Sequence, residues 1–555
     1  MKNLYSFYAQ HLHIHSCYEP GASMEGHIYH ASKLGMKHIW FTDHDIRMGR
    51  KPTEVDSFDF ESGLTELNSS ESEYGFKVSD SVKGTVEHCS DNAYRGDGCM
   101  KMQVKSDGVE WSAVSATLFS HGKSHCVSLL SEVEISFAYK TDINAPENKR
   151  LIFDFKLSER PPELTCAHIL YVLGSTVGLE EKHTLVIPID SSSDWICRKF
   201  DLSSDAKRAS GGLDNVFDTV TVRLESRNKE KATAYIDCFH KKVGLTAQQT
   251  HDRQKQLAAQ IGNKYGVTPF VATEISRAGM HKNCFSTKIP LLDYVACNYD
   301  VSHHDACRHV LAHDGVFSLN HPFVGYKRKD LSELDINAEV DKIAQNFIDN
   351  ACFGATLLEV GFPEGRYLPL ECHLRLWDTL ALHGCFLTGY GCSDSHSIAS
   401  GWYSGNNFAT WLGVRGGEPA DEEHFVEAMR AGRAYTGNPV VIDGAVLLQT
   451  EKGVPMGGVC VVRSETVEKV NFYAEKMRSD WTLRWIVDGK KLKEIPLCDG
   501  AVSEEIILEV DSPIRFARAE IYSSDGTLLL LTNPVYFVRA DLITLEIPLQ
   551  RRYCI

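Results

Sequence analysis

His11-Leu12-His13-Ile14-His15-Ser16 decides how the rest of the chain is read. Side chains of an extended segment alternate between two faces, so His13 and His15 share one face and can reach a single ion. Two histidines at this spacing are common on strands, and the reading gains weight only from residues further along the chain. Met24, Ile28, Ala31 and Leu34 fall at helical spacing, and residues 38–42 read as a buried strand running into Asp43-His44-Asp45. The chain opens as β-α-β.

Near residue 50 the texture changes. Segments such as "EVEISFAYKTD", "RLIFDFKLSE", "FDTVTVRLES" and "ATAYIDCFH" alternate apolar and polar residues between clusters of Ser, Asp, Asn and Gly, which predicts a jelly-roll β-sandwich over 51–243. A polar-faced helix over 245–266 ends at Gly266, and strand–helix alternation then resumes. It runs through "VTPFVATEIS", "YVACNYD", "GVFSLNHPF", a helix over 338–351, "ATLLEVGFP", a helix over 367–383 and "CFLTGYGCSDSH". Residues 1–50 and 244–437 are therefore expected to form one α/β domain, with the sandwich inserted into it. Residues 438–555 return to strands and predict a C-terminal β-sandwich. Functional side chains of β/α barrels gather at the carboxyl ends of the strands, a placement that suits Asp43, Glu274, His321, Glu359 and Asp394.

Composition bounds the partners. At 555 residues and 43% hydrophobic the chain can bury a large core, and its net charge of −16 opposes attraction to nucleic acid or anionic membranes. No apolar run reaches membrane-spanning length and no secretory leader opens the chain, so a cytoplasmic setting is expected. The 17 cysteines include no CxxC pair, which predicts mostly buried free thiols rather than a disulfide framework or a zinc ribbon.

Five separated motifs, "HLHIHS", "FTDHD", "TEIS" with "GMHKN", "SLNHP" and "GCSDSH", resemble in order and placement the PHP (polymerase and histidinol phosphatase) metallohydrolases. The second half, through "MHKNC", "AMRAGRAYTGNP" and "LTNPVYF", is similar to the branch typified by carbaryl hydrolases of the CehA and McbA type. The likeness spans roughly 1–50 and 247–540 and implies a distorted (β/α)7 barrel. It further implies that His13, His15, Glu274 and Asp394 hold one divalent ion, with Glu274 bridging to a second ion held by His281 and His321. A third ion would use His44 and His396. The loop "SCYEPG" departs from the family pattern and leaves Glu19 as the substitute ligand. Imidazole with carboxylate suits Zn, Mn or Fe, and a bridging carboxylate suits a two-metal site.

The expectation is then a metal-dependent hydrolase using a metal-activated water, with phosphomono- or diesters, glycan-linked ones included, as first substrate class. Asp43, His44 and His396 are the candidates for orienting water or protonating the leaving group, and Arg366 and Arg433 for contacting an anionic substrate. Ester, amide or carbamate hydrolysis is the alternative that the CehA likeness implies. A non-catalytic saccharide-binding protein is the alternative of a different class. The inserted segment resembles a carbohydrate-binding module, with Trp111, Trp195 and Tyr139 as stacking faces or as core, and it could equally serve self-association into a homo-oligomer.

Overall fold

One curled mixed sheet organises the α/β body. The computed structural model describes residues 4–19, 22–45, 55–61, 63–64, 77–78, 84–120, 129–144, 146–160, 165–190, 193–209, 214–243, 245–277, 279–293, 301–324, 332–361, 368–398, 401–403, 408–542 and 553–554. The body's strands are β1 (Tyr5–Ile14), β2 (His38–His44), β3 (Thr268–Ile275), β4 (Lys282–Phe285), β5 (Val316–Leu319), β6 (Leu357–Gly361), β7 (Thr388–Gly391), β8 (Ala409–Arg415) and β9 (Ala434–Gly437). Its helices are α1 (Met24–Lys33), α2 (Ala247–Tyr265), α3 (His303–Ala312), α4 (Glu333–Asp349), α5 (Leu370–Leu382) and α6 (Glu422–Ala431).

The spatial order is β7-β6-β5-β4-β3-β2-β1-β8-β9. β1, β2 and β3 run parallel, β4 is antiparallel to both neighbours, and β5, β6 and β7 are again parallel. All six parallel strands therefore end at one rim. The sheet curls until β7 meets β8 and β9, and side chains close the seam. Thr410 Oγ1 accepts from Gly391 N and donates to Gly391 O, each at 3.0 Å, while Asn533 bonds both the N–H and the C=O of Gly389 at 2.8 Å. Gly391 has to lack a side chain, because a Cβ would stand 2.0 Å from Thr436 Oγ1.

Helix ends follow local chemistry. α2 starts at a Thr246–Gln249 capping box and stops at left-handed Gly266, close to the sequence expectation. α1 is shorter than its apolar spacing suggests because Gly35, at φ +75°, turns the chain away. α4 begins earlier than expected, where Ser332 and Asp335 form a capping box, and α5 begins after Pro369. The segment "YVACNYD" lies outside the described residues.

The insertion between β2 and α2 is a sandwich of two six-stranded sheets. Phe137, Phe153, Phe155, Tyr171 and Phe200 pack ring against ring between them. The second sheet runs Ile196–Phe200, Val133–Thr141, Lys231–Val243, Cys99–Lys105, Gly84–Cys89, with Val55–Phe58 also paired to Lys231–Val243. Beyond β9 the ladder does not break: Leu528–Thr532 pairs antiparallel with β9, so the C-terminal strands extend the same sheet. A three-stranded sheet of Val446–Thr450, Thr466–Met477 and Gly500–Val510 completes that end, and fully buried Arg518 ties it to α5 through Asp378 at 2.9 Å and to Glu520. Among the described residues no helix is long and apolar enough to cross a membrane.

Burial keeps several histidines neutral. His38, packed against Phe270 and Phe425 between β2 and α6, is pushed down to about 4 by loss of solvent. Because the unfolded imidazole takes up its proton near pH 6.5 and the folded one only near 4, this group's stabilisation is present above pH 6.5 and is lost as pH falls toward 4. Thermal unfolding followed from pH 7 to 4 should show the midpoint falling, with a shallower fall in His38→Phe; identical slopes for the two proteins would remove this account.

Candidate metal centre

The ends of β1, β2, β3, β5, β6 and β7 bring their polar residues to one buried point at the rim. Glu274, near the end of β3 and fully buried, is its hub. Its Oε1 lies 3.2 Å from His281 Nδ1, 3.3 Å from His321 Nε2 and 3.6 Å from His13 Nε2, and its Oε2 lies 2.7 Å from His44 Nδ1 and 3.9 Å from His15 Nε2. Asp394, three residues past β7, adds an oxygen 2.9 Å from His15 Nε2, 3.3 Å from His13 Nε2 and 3.6 Å from His396 Nδ1. Nearly the whole expected ligand set thus converges. Glu19 stands beside it, accepting from the His44 N–H at 3.1 Å.

The donor atoms fit cations better than they fit one another. His13 Nε2, His15 Nδ1, His44 Nδ1 and Glu274 Oε2 are buried and make no hydrogen bond. Such groups cost roughly 1–3 kcal/mol each when left unmet. His44 Nδ1 and Glu274 Oε2 approach to 2.7 Å without hydrogen-bond angles, the relation of two ligands that face a shared ion rather than each other. Among the described residues, five triads have ligand atoms within 4.8 Å of one another, including His13-His15-Glu274, His44-Glu274-His281 and His15-His44-His396. Imidazole nitrogens and carboxylate oxygens together are a donor set for Zn, Mn or Fe.

A further layer fixes the rings. Glu359, on β6, accepts the His13 Nδ1 proton at 2.5 Å, which turns His13 Nε2 toward Glu274. The same carboxylate accepts from Tyr390 Oη at 2.9 Å and from the His321 N–H. Asn320 donates to Glu274 Oε1 at 2.7 Å, and His396 Nδ1 donates to the Asp394 carbonyl at 3.1 Å. Asp43 accepts from the Ser16 N–H at 2.7 Å and from Gln254 of α2, and its oxygen lies 3.9 Å from His15 Nδ1. His321 and Asp394 hold φ values of +27° and +48°, left-handed conformations that cost non-glycine residues about 1–3 kcal/mol and concentrate at functional sites.

The site's charges are mutually set. Burial opposes ionisation of Glu274, but the cationic rings of His44 and His13 hold it well below the usual carboxylate range. Burial likewise works against a charged His44, yet Glu274 raises it to about 9. Desolvation drives His15 well below its ordinary value, with help from His396, and Asp43 is pushed up to about 6 by burial. His44, His281 and His396 keep 18%, 30% and 31% of their side chains exposed, so they mark the open side on which a substrate would arrive.

Sequence reasoning placed Glu359 at a strand end without giving it a task, and it missed Gln254 on a helix, Tyr390 inside a strand and Asn320 just past β5, none of which carries a local ligand signal. Arg433 does not join the cluster. It is buried at the opposite end of β1, donating to Gly413 O at 3.1 Å, 3.4 Å from Glu427 and over the Tyr5 ring, because a buried guanidinium needs such partners. Arg366 lies outside the described residues. In the sandwich, Tyr139 is core, and Trp111 has the Arg150 and Arg227 guanidinium groups over its ring at 4.1 and 4.7 Å. Only Trp195 of the three faces outward with other rings, Tyr94 at 5.7 Å and Tyr235 at 6.5 Å.

No protein-family model matches the chain. No curated protein matches it either. Solved structures with partial likeness include the Endo-D glycoside hydrolase domain of Streptococcus pneumoniae R6, at 13% identity and TM-score 0.20, covering 31% of this chain and 21% of that one. Another is the CBM22-1 xylan-binding domain of Paenibacillus barcinonensis Xyn10C, at 15% identity and TM-score 0.20, covering 36% of this chain and 99% of that one. A third is the family 11 carbohydrate-binding module of Clostridium thermocellum, at 17% identity and TM-score 0.17, covering 36% and 92%.

Metal binding has to expel the protons that the metal-free histidines hold. With His44 raised to about 9, its ring is mostly protonated at pH 7.5, so metal uptake there should release about one proton or more per chain. Titration with Zn or Mn in a weakly buffered indicator solution should show that release, with apparent affinity rising about tenfold per pH unit between 6.5 and 8.5. Affinity flat across that interval would contradict the arrangement.

Proposed function

We propose that this protein is a metal-dependent hydrolase of the PHP type, and that phosphoesters are its first substrate class. The supporting observation is the convergence of His13, His15, His44, His281, His321, Asp394 and His396 on buried Glu274, with four ligand atoms that no protein group satisfies. Divalent ions bound there would make hydroxide available near neutral pH and offset charge on phosphoryl or acyl oxygens. The chain's own residues do the rest. Glu359 keeps the His13 proton on Nδ1, and Ser16 and Gln254 hold the Asp43 carboxylate beside His15. His44 and His396, on the open side, face an arriving substrate. Ester or carbamate hydrolysis uses the same groups and is separated only by substrate.

The reading is tested by elemental analysis of the purified chain together with turnover of p-nitrophenyl phosphate, bis-p-nitrophenyl phosphate, and naphthyl acetate or carbamate. Bound divalent metal and phosphoester turnover that falls to background in His13→Ala and Asp394→Ala are expected. Wild-type rates in either variant, both remaining folded by circular dichroism, would sink it.

A saccharide-binding role for the sandwich has a specific observation behind it as well. On the outer face of the second sheet the ladder sets Glu87, Lys101, Tyr235 and Lys140 in one row across four strands, with Trp195 and Tyr94 packed at its side. Half-buried rings beside lysine and carboxylate groups suit a sugar ring's apolar face and its hydroxyls. Oligosaccharide titrations followed by tryptophan fluorescence should find a ligand whose affinity drops at least about tenfold, roughly 1.4 kcal/mol, in Trp195→Ala. A ligand bound equally by both proteins would place recognition elsewhere.

A further inference from the structure

The same outer face carries two cysteines in a relation that the hydrolase and saccharide readings leave unused. Cys89 and Cys99 are directly opposite in the antiparallel ladder between Gly84–Cys89 and Cys99–Lys105, at its last rung. Residues so paired have Cα atoms about 4.5–5.5 Å apart, inside the roughly 4.4–6.8 Å range that a disulfide spans. The register also sets their direction. Val86 and Met102 turn into the sandwich core, so Glu87 and Lys101, and with the same parity Cys89 and Cys99, turn outward together. The two thiols lie side by side at the end of the ladder, and Cys89 is among the groups that raise the Cys99 thiol.

What lies over this pair gives it consequence. Residues 90–98 connect the two strands and fold back across the face, so Cys99 is fully buried and donates to Asn92 O at 3.4 Å, while Cys89 remains half-buried and reachable. The loop's far side is anchored by carboxylates: Asp237 accepts from Tyr94 N at 2.7 Å and Arg95 N at 3.1 Å, and Glu61 accepts from Asp97 N at 2.6 Å. The base of the loop is held by the last rung of the ladder, by the Cys99 Sγ bond to Asn92 O, and by Lys140 Nζ, which donates to Asn92 Oδ1 at 3.2 Å. A covalent bond there would convert a hydrogen-bonded corner into a fixed one, and the loop so fixed is the one that carries Tyr94 against Trp195.

We propose that Cys89 and Cys99 are a redox modification site, a thiol pair that a peroxide closes into a cross-strand disulfide. Cys89, the accessible member, attacks one peroxide oxygen as thiolate. The O–O bond breaks, hydroxide leaves, and Cys89 becomes the sulfenic acid. The Cys99 sulfur then attacks the sulfenyl sulfur, the S–O bond breaks, and the Cys99 proton joins the departing hydroxide as water. Two thiols lose two electrons in total, and one hydrogen peroxide becomes two waters. Burial, with Cys89 and Asp237 nearby, pushes the Cys99 thiol up to about 12, which makes the second step the slower one.

Peptide mapping of the full chain reads this directly, because Arg95 lies between the two cysteines and trypsin separates them into peptides 84–95 and 96–101. The folded protein is treated with hydrogen peroxide or with dithiothreitol, remaining thiols are alkylated, and the denatured chain is digested without reductant. The disulfide-linked pair of these two peptides should rise at least tenfold after peroxide, return to baseline after dithiothreitol, and be absent in Cys99→Ser. Cys89→Ser should leave Cys99 alkylatable after peroxide, since the buried thiol then has no partner. Recovery of both peptides singly alkylated after peroxide, over-oxidation of Cys89 without the link, or linkage of either cysteine to another site would each overturn the proposal. These outcomes do not depend on metal content or hydrolysis.

Discussion

A fully buried carboxylate is the constraint around which this protein is arranged. Taking Glu274 out of water costs several kcal/mol unless positive charge meets it from close range, and the chain meets it with imidazoles from separate segments at 2.7 to 3.9 Å. None of those segments can move independently of the others without stranding the charge. The topology answers this by ending six parallel strands at one rim, so that the strand-to-loop transitions supply the polar side chains, His13 and His15 at the end of β1 and Asp43 and His44 at the end of β2 among them. Antiparallel β4 departs from that direction to useful effect: it returns the chain directly after Glu274 and places His281 back over the same oxygen.

His13, His44 and His321 are held more basic than usual while Glu274, Glu359 and Asp394 are held more acidic, although burial alone would shift every one of them toward its neutral form. The outer ring of partners keeps this charge distribution oriented. Glu359 is the clearest case, because one carboxylate fixes the His13 ring, the His321 backbone and the Tyr390 hydroxyl together. Loss of one such contact tilts several ligands at once.

Much of this was legible in the chain. Period-two spacing in "HLHIHS" fixes which histidines share a face, and polar residues closing apolar runs mark strand ends at Asp43, Glu274, His321, Glu359 and Asp394. What could not be read is anything that depends on which distant surfaces meet. Gln254 lies on a helix more than two hundred residues from the Asp43 it holds. Arg433 carried the charge suited to an anionic substrate, yet burial against Tyr5 and Glu427 consumes it. The rings of the sandwich followed the same rule: only the neighbours that the fold brings to each separate Trp111, capped by arginines, from Trp195, packed with Tyr94 and Tyr235.

The point of insertion also has a physical logic. The sandwich enters after β2 and leaves into α2, the two elements that carry Asp43 and the Gln254 that grips it. Its residues Leu129 and Val216 share a core with Cys17 and Tyr18 of the loop after β1 and with Leu257 and Ile261 of α2. That loop carries Glu19, whose carboxylate holds the His44 backbone. The inserted body therefore packs on the back of the 16–19 loop, and a core of this density, which does not yield locally, holds Glu19 in place beside the cluster.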